Sequence, residues 1–195
     1  MPTEKKNKIK YGLTNVYYSV ITEDDKGTIS YGTPKREVGA VTMSLNSLYE
    51  QTVVPADDDP SYAVVDENNG YEGDFEFQNL SDEFKQDVFG DTKDENGVII
   101  ENKDNVSKRI ALMFEFSGDV KKTRHLLYNC SVKRPKVESG TKGSGPSTRT
   151  DTITIKASPA KDTGHIKAKS YQGETAYDGW YSNVYTGAVT TTTEE

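Results

Sequence analysis

The fold is decided by two runs, Ile110-Ala111-Leu112-Met113-Phe114-Glu115-Phe116 and Leu126-Leu127-Tyr128-Asn129-Cys130-Ser131-Val132-Lys133. Apolar residues in both runs recur at every second position, with Leu126, Tyr128, Cys130 and Val132 as one set in the second run. Successive side chains of a strand point to opposite faces, so this period of two predicts two strands. The turn residues Ser117-Gly118-Asp119 stand between them, which favours antiparallel pairing.

The same alternation recurs on both sides of this pair. It is seen where Val41, Met43 and Leu45 alternate with Thr42, Ser44 and Asn46, where Tyr71, Gly73, Phe75 and Phe77 alternate with Glu72, Asp74, Glu76 and Gln78, and where Ile153, Ile155 and Ala157 alternate with Thr152, Thr154 and Lys156. Turns are indicated by Asp25-Lys26-Gly27, Asn69-Gly70 and Asn96-Gly97, the last two being the pair that type I′ hairpins prefer. We therefore expect an all-β protein of antiparallel sheets, each with one buried face.

One short helix interrupts this pattern, at about residues 81–89. Ser81 can cap its first turn, Asp82 and Glu83 suit the positive end of the helix dipole, and Gly90 can end it. Leu80, Phe84 and Val88 recur at four-residue spacing and so share one face. Because the helix is short, we expect it to be held by packing against a sheet.

Two polar segments are too long for ordinary turns, at about Ser47–Asn69 and Gly90–Ser107. Val53-Val54 and Tyr62–Val65 give the first segment some strand character, so we interpret it as a projecting arm shaped like an extended hairpin. The Gly/Ser-rich stretch 138–148 predicts a loop inside a domain, since strand patterns flank it closely. We expect a single domain over residues 1–189, followed by a short polar tail at 190–195.

Composition narrows the class of protein. Only 33% of the 195 residues are hydrophobic, and much of that content is aromatic, with 12 Tyr and 6 Phe, which suits β-structure and shared interfaces. The lone Cys130 suits a reducing compartment. No run is long enough for a membrane span and the N-terminus has no signal region, so we expect synthesis in the cytoplasm and no membrane partner.

Charge is unevenly distributed along the chain. The net charge of −7 argues against a protein that binds nucleic acid by neutralising its phosphates. Residues 50–105 hold 17 acidic and 3 basic side chains, a net of −14, while the rest hold 14 acidic and 21 basic, a net of +7. Unlike faces of neighbouring copies could therefore attract each other, although a solvated acidic loop region accounts equally well for the asymmetry.

Signatures of catalysis and of metal binding are missing from the sequence. His125 and His165 lie in no metal-ligand spacing with each other or with Cys130, which we expect to be buried and inert. His125 is expected at a surface or an interface. The Asp57–Asp59 triplet is interpreted as a solvated loop tip in preference to a weak cation site. We therefore expect no enzyme activity and no cofactor.

Glu72, Asp74 and Glu76 form a row of three carboxylates on one strand face. Adjacent like charges repel, so a row of carboxylates without cationic partners predicts a hydrated strand face rather than a catalytic pair. Two interpretations stay open on the residues alone. The face could line a wide β-walled channel, or it could be an ordinary solvent-exposed outer face.

An ordered set of segments resembles the major tail proteins of siphophages that infect Gram-positive bacteria. The matching segments are Lys8–Tyr18, Pro34 with Val38–Leu45, Asn68–Glu76, Asp82–Gly90, Asp94–Val98, Ala111–Asp119 and Thr123–Cys130. The resemblance runs in order from about Lys8 to Tyr185.

This resemblance implies a fold and an assembly. The fold would be a β-sandwich of the phage tail-tube type with a flanking helix and long projecting loops. Copies would form hexameric rings that stack into the tail tube of a long-tailed, non-contractile phage, in the virion. Genomic DNA would pass through the lumen without specific binding. Partners would be further copies of the chain and the tape-measure, tail-tip and tail-terminator proteins.

Three sets of residues are predicted to make this assembly. The lumen would be lined by Glu72, Asp74 and Glu76, or failing them by the face of Thr42, Ser44 and Asn46. The ring-stacking loop, at about 47–69, would act through Tyr49, Glu50, Asp57, Asp58, Asp59 and Tyr62. The N-terminal arm, residues 1–13, would meet an acidic patch on a neighbour through Lys5, Lys6, Lys8 and Lys10.

An alternative function belongs to another class. Tyr177, Trp180, Tyr181 and Tyr185 cluster near the C-terminus and could form the stacking platform of a carbohydrate- or surface-binding β-sandwich. We favour the simpler interpretation that this segment packs against the sandwich.

Overall fold

In the computed structural model, which describes residues 11–139 and 149–187, the chain forms eleven strands and one helix. The elements are β1 (Leu13–Glu23), β2 (Ile29–Tyr31), β3 (Lys35–Glu37), β4 (Ala40–Ala56), β5 (Asp59–Phe77), α1 (Asp82–Phe89), β6 (Thr92–Lys93), β7 (Ile99–Ile100), β8 (Ile110–Phe116), β9 (Arg124–Lys133), β10 (Asp151–Ser158) and β11 (Lys167–Ser170). The N-terminal lysines, most of the 138–148 loop and the 190–195 tail lie outside the described residues. The expected all-β class with one short helix is confirmed.

Nine strands form one continuous antiparallel sheet. The order is β2-β1-β8-β9-β10-β5-β4, with β3 also paired to β1 and β11 also paired to β9. The strands β8 and β9 pair with each other near the middle of this order. The strands β6 and β7 form a separate small hairpin whose turn contains Asn96-Gly97, again as predicted.

The sheet curls around one main core. Val16 and Tyr18 near one end of the strand order pack in the same cluster as Phe75 and Phe77 near the other end. The cluster also holds the inward residues of β8, β9 and β10 and the buried face of α1. Full burial of a large apolar side chain contributes about 1.5–3 kcal/mol, so this shared core holds the two halves of the sheet together.

The other face of β8 and β9 carries a second, smaller core. Ala111, Met113 and Leu126 pack there against Trp180 and Val184. Trp180 is only 2% exposed, so the C-terminal segment packs on the sheet as the sequence predicts. Both faces of the two central strands are therefore covered within one chain.

A bulge in β9 changes one predicted face. Ile110 lies opposite Cys130 but Leu112 lies opposite Leu127, so the register shifts by one residue between these pairs. A bulge rotates the following residues to the other face. Cys130 and Leu127 therefore join the main core, and the prediction that Leu126, Tyr128, Cys130 and Val132 share one face is wrong.

His125 is also placed differently from the expectation. It is 8% exposed, and its ring stacks on Phe114 with a centroid distance of 5.2 Å. It is therefore buried within a single chain and is not a surface histidine. The aromatic neighbours come from β8, whose contact with His125 depends on strand pairing rather than on local sequence.

The helix α1 begins and ends where its capping residues predict. The Ser81 hydroxyl accepts a hydrogen bond from Phe84 N at 3.1 Å, and Gly90 ends the helix in the left-handed conformation at φ 75°. The buried Glu37 carboxylate accepts hydrogen bonds from Ser81 N at 3.0 Å and from its hydroxyl at 2.6 Å. Burial raises the pKa of Glu37. These contacts join the helix start to β3.

An ion pair fixes the chain after the helix. The Arg134 guanidinium donates to Asp91 Oδ2 at 3.1 Å and to the carbonyl oxygen of Phe89 at 3.1 Å. Asn105 Nδ2 donates to Asp91 Oδ1 at 3.2 Å. The hydrogen bond from Arg134 lowers the pKa of the Asp91 carboxyl, which is 8% exposed.

We expect Asp91→Asn to lower the free energy of unfolding by about 2 kcal/mol at pH 7, because it removes a charge-assisted hydrogen bond from a nearly buried site. The folded pKa of Asp91 lies below its ordinary 3.8, so the stabilisation is present above that value and is lost as the pH falls through the folded pKa. Urea unfolding at several pH values measures both effects.

The matched control is Asp104→Asn in the loop between β7 and β8. Its ion pair with Lys103 spans 3.8 Å between largely exposed side chains. Exposed pairs contribute little, so this variant should unfold like the wild type. Equal stability of Asp91→Asn and the wild type at pH 7 would contradict the proposed anchoring role.

Candidate assembly surfaces

The two sets of predicted lumen residues lie on one sheet face. In the register of β4 and β5, Thr42 is opposite Glu76, Ser44 is opposite Asp74 and Asn46 is opposite Glu72. Directly opposite residues of an antiparallel pair share a face. The sequence-based prediction gave these two sets as alternatives. In the structure they form one surface, which we call the polar face.

The strand β10 extends the polar face. Thr152, Thr154 and Lys156 lie opposite Glu76, Asp74 and Glu72, in that order. On the reverse side of the same strands, Phe75 and Ile155 are fully buried in the main core. The polar face is thus one side of a sheet whose other side is fixed by apolar packing.

Hydroxyl groups and a lysine partner the three carboxylates. Thr42 Oγ1 donates to Glu76 Oε2 at 2.8 Å, and Thr150 Oγ1 donates to the other oxygen of Glu76. Thr154 Oγ1 donates to Asp74 at 2.7 Å. Lys133 Nζ lies 3.9 Å from Glu72. These partners reduce the repulsion expected of an isolated row of carboxylates.

The environment of Glu76 does not favour proton donation. The hydrogen bonds from Thr150 and Thr42 lower the pKa of Glu76, so it is ionised at neutral pH. A general acid needs a pKa raised toward the working pH, which is the opposite shift. Glu76 is therefore suited to contact with water and mobile ions rather than to proton donation.

Val41 does not share a face with Met43 and Leu45, contrary to the sequence-based pattern. Ala40 lies opposite Phe77 and Thr42 lies opposite Glu76, so Val41 is an extra residue in the ladder. It is 37% exposed, while Met43 and Leu45 pack against the core. The bulge ends the regular part of the polar face.

Beyond the sheet, β4 and β5 continue together as a two-stranded hairpin. We call its residues 48–69 the arm. Regular pairing runs from Tyr49 opposite Asn68 to Val54 opposite Ala63. Asp57 and Asp58 at the tip have positive φ values of 49° and 58°, as both central residues of a type I′ turn require. The interpretation of this segment as an extended hairpin is confirmed.

The pair Asn69-Gly70 is not a hairpin turn, contrary to prediction. These two residues of β5 stand opposite the single residue Leu48, which makes them a bulge. Gly70 has φ 107°, and a Cβ there would lie 1.9 Å from the carbonyl oxygen of Ala157. Only glycine fits, and the arm leaves the sheet at this point.

The arm exposes apolar side chains on both faces. Six of them have exposed fractions between 40% and 61%, namely Tyr49, Val53, Val54, Tyr62, Val64 and Val65. A lone two-stranded hairpin is at best marginally stable in water. An arm with this composition gains stability when its faces are covered by another surface.

The arm is also strongly acidic. It contains Glu50, Asp57, Asp58, Asp59, Asp66 and Glu67 and no lysine or arginine. Gln51 Nε2 donates to Asp66 Oδ1 at 2.9 Å, and a hydrogen bond with Asp66 raises the pKa of Tyr49. Glu50 and Glu67 lie directly opposite each other on the other face, where like charges are destabilising.

Sequence reasoning missed a cavity at the mouth of the curled sheet. A space of about 200 Å³ lies between Met43 and Leu45 on one side and Phe114, Phe116 and Leu127 on the other. Tyr71 and Lys167 stand at its rim, with Lys167 Nζ 5.3 Å from the centre of the Tyr71 ring. The residues come from strands distant in sequence, so no local pattern could have indicated the cavity.

The predicted aromatic platform is mostly covered. Tyr177 is 7% exposed and the Trp180 indole donates to the carbonyl oxygen of His125 at 3.4 Å, so both rings are part of the packed C-terminal segment. Tyr181 stacks on Tyr17 with a centroid distance of 4.3 Å. Of the four rings, Tyr185 is the one with a large exposed fraction, 41%.

Cys130 is fully buried, and burial raises the pKa of its thiol to about 12. Within residues 11–139 and 149–187, no group of three or more His, Cys, Asp or Glu side chains could hold a metal ion. Across the same residues, no helix is both long and apolar enough to cross a membrane.

A scan against protein-family models finds no family that matches this chain, and a search of curated proteins finds no similar sequence.

Proposed function

We propose that this chain is a structural subunit that closes into hexameric rings and stacks into a tube, the tail tube of a long-tailed, non-contractile phage. It acts without catalysis and without a cofactor. In this role the chain is made in the host cytoplasm and resides in the virion. The hexamer and the phage context rest on the sequence resemblance, and the geometry supports self-association.

The arm is the observation that carries this proposal. It extends past the last strand contact of β5 with β10, exposes valine and tyrosine on both faces and bears six carboxylates. Exposed apolar hairpins favour aggregation unless a partner covers them. Contact with the next ring would cover this one, which makes the arm the stacking element.

The free edge of the sheet supports ring closure. Among the described strands, β4 pairs only with β5 and so ends the strand order. An unpaired edge offers backbone N–H and C=O groups to a strand from another copy. Pairing of such edges between copies would join their sheets into one wall and place the polar face on a continuous surface.

The polar face fits the lining of a channel for DNA. Its carboxylates repel phosphates, while its threonine hydroxyls keep the surface hydrated. Lys133 and Lys156 flank the row and limit the net charge. A duplex would therefore slide along this surface without being held.

We expect shortening of the arm to stop tube growth while leaving the subunit folded. In the test variant, Asn-Gly replaces Val54–Ala63, so that Val53 and Val64, which already face each other, flank a type I′ turn. The thermal unfolding midpoint should stay close to that of the wild type because the main core is untouched. Negative-stain electron microscopy should show rings without tubes.

The matched control shortens the other long loop, with Gly-Ser replacing Asn102–Asp104 between β7 and β8. It should form tubes like the wild type. Tubes of normal length from the arm variant would contradict the stacking role.

We expect a thiol on the polar face to be shielded in the tube. Asp74→Cys places it on an exposed strand position, and the buried Cys130 with its raised pKa does not compete. Unassembled subunits should react with both a small maleimide and one attached to a large polymer, whereas tubes should react only with the small reagent. Gel shifts measure the modified fraction. Equal reaction of tubes and subunits with the large reagent would place this face on the outer wall.

A further inference from the structure

We propose that the arm of one copy docks into the mouth of the curled sheet of another copy, with Glu50 and Glu67 against Lys167 and Lys169. This inference rests on the proposed function, because it identifies the surface that receives the stacking arm. The occupant is a second copy of this chain. The argument depends on charge and on apolar complementarity between two surfaces of the same molecule.

The arm presents one face that lacks internal partners. Glu50 and Glu67 are directly opposite, followed by Thr52 with Val65 and by Val54 with Ala63. On the other face, Asp66 already accepts a hydrogen bond from Gln51. Within the described part of the chain, neither Glu50 nor Glu67 forms an ion pair. Two opposed carboxylates repel each other, and a cation from another surface would relieve that repulsion.

The mouth offers cations beside an apolar space. Lys167 and Lys169 alternate with Ala168 along β11, so both project to the side of Leu127 and His125, their partners in β9. That side contains the cavity of about 200 Å³ lined by Met43, Leu45, Phe114, Phe116 and Leu127. A groove of about 500 Å³ along Lys167 and Lys169 shares Tyr71 and Lys167 with this cavity and is also lined by Asn68 at the base of the arm.

The basic character extends along the rim. Lys121 and Lys169 each lie 5.3 Å from the centre of the Tyr171 ring, and Lys122 is exposed next to them. The nearby carboxylates Asp119 and Glu174 accept hydrogen bonds from backbone N–H groups of their own turns. Four lysines, at positions 121, 122, 167 and 169, and these two carboxylates lie along this part of the surface.

The face of the arm that carries Glu50 and Glu67 complements the mouth in charge and in the sequence of polar and apolar groups. The arm carries valines next to an acidic pair, and the mouth carries an apolar cavity next to a basic pair. Val65 is two positions from Glu67 on the same face, and Leu127 is directly opposite Lys167. Docking would cover the exposed valines and separate the charge of Glu50 from that of Glu67 by placing lysines against them.

Charge reversal tests this pairing. Lys167→Glu with Lys169→Glu should raise the concentration at which half of the protein assembles by about tenfold or more, and Glu50→Lys with Glu67→Lys should do the same. The fourfold variant that carries both reversals should assemble close to the wild type, because each contact is restored with inverted signs. Sedimentation velocity measures assembly, and circular dichroism verifies the fold of each variant.

The control reverses two lysines elsewhere. Lys93→Glu with Lys103→Glu changes the net charge equally at exposed positions of β6 and of the loop after β7, and this variant should assemble normally. If either reversed pair assembles like the wild type, or if the fourfold variant is not rescued, the docking proposal is wrong while ring stacking stands. If the wild type itself never assembles, the proposed function fails as well.

Discussion

The register of β5 against its two neighbours is the constraint on which the rest of the structure depends. Residues 71–77 pair with β4 on one edge and with β10 on the other. In this register Phe75 and Phe77 enter the core while Glu72, Asp74 and Glu76 stay outside. A slip by one residue would exchange the two sets, so burial of the two phenylalanines also fixes the polar face. The part of the same strand that precedes Gly70 belongs to the arm.

The C-terminal segment covers the outer face of β8 and β9. Arg124 lies between the rings of Tyr177 and Tyr181, at 3.8 and 4.6 Å from their centres, and pairs with Glu115 at 3.5 Å. These contacts fasten the segment over β8 and β9, whose outer face is thereby covered. The polar face of β4, β5 and β10 has no such cover within the described residues. Features that could join copies are therefore concentrated in these strands, the arm and the mouth.

Local chemistry made some elements predictable. The helix was predictable because Ser81 and Gly90 act on their immediate neighbours, and the strands because alternation is a property of a single segment. The bulges in β9 and at Asn69-Gly70 were not predictable, since they arise from how two strands align. Asn-Gly suits a type I′ turn and a bulge alike, and the two aspartates at the tip could be assigned to the turn only once the pairing was known.

Some features of the candidate site were likewise predictable from the sequence, and others were not. The row of carboxylates and the acidic character of the arm can be recognised from the residue types in the sequence. The partners of those groups are not, because Thr154 and Lys133 reach Asp74 and Glu72 through long-range strand pairing. The mouth needs five strands to form and so has no local signature. The phage tail assignment rests on ordered resemblance, and the structure contributes surfaces on which self-assembly can be tested.

The central claim is that the chain assembles with itself through these surfaces. Class averaging of the purified protein in negative stain, over a range of concentrations, tests it most directly. The account predicts six-fold rings with an open centre, and tubes of stacked rings as the concentration rises. Uniform single subunits at every concentration would contradict it.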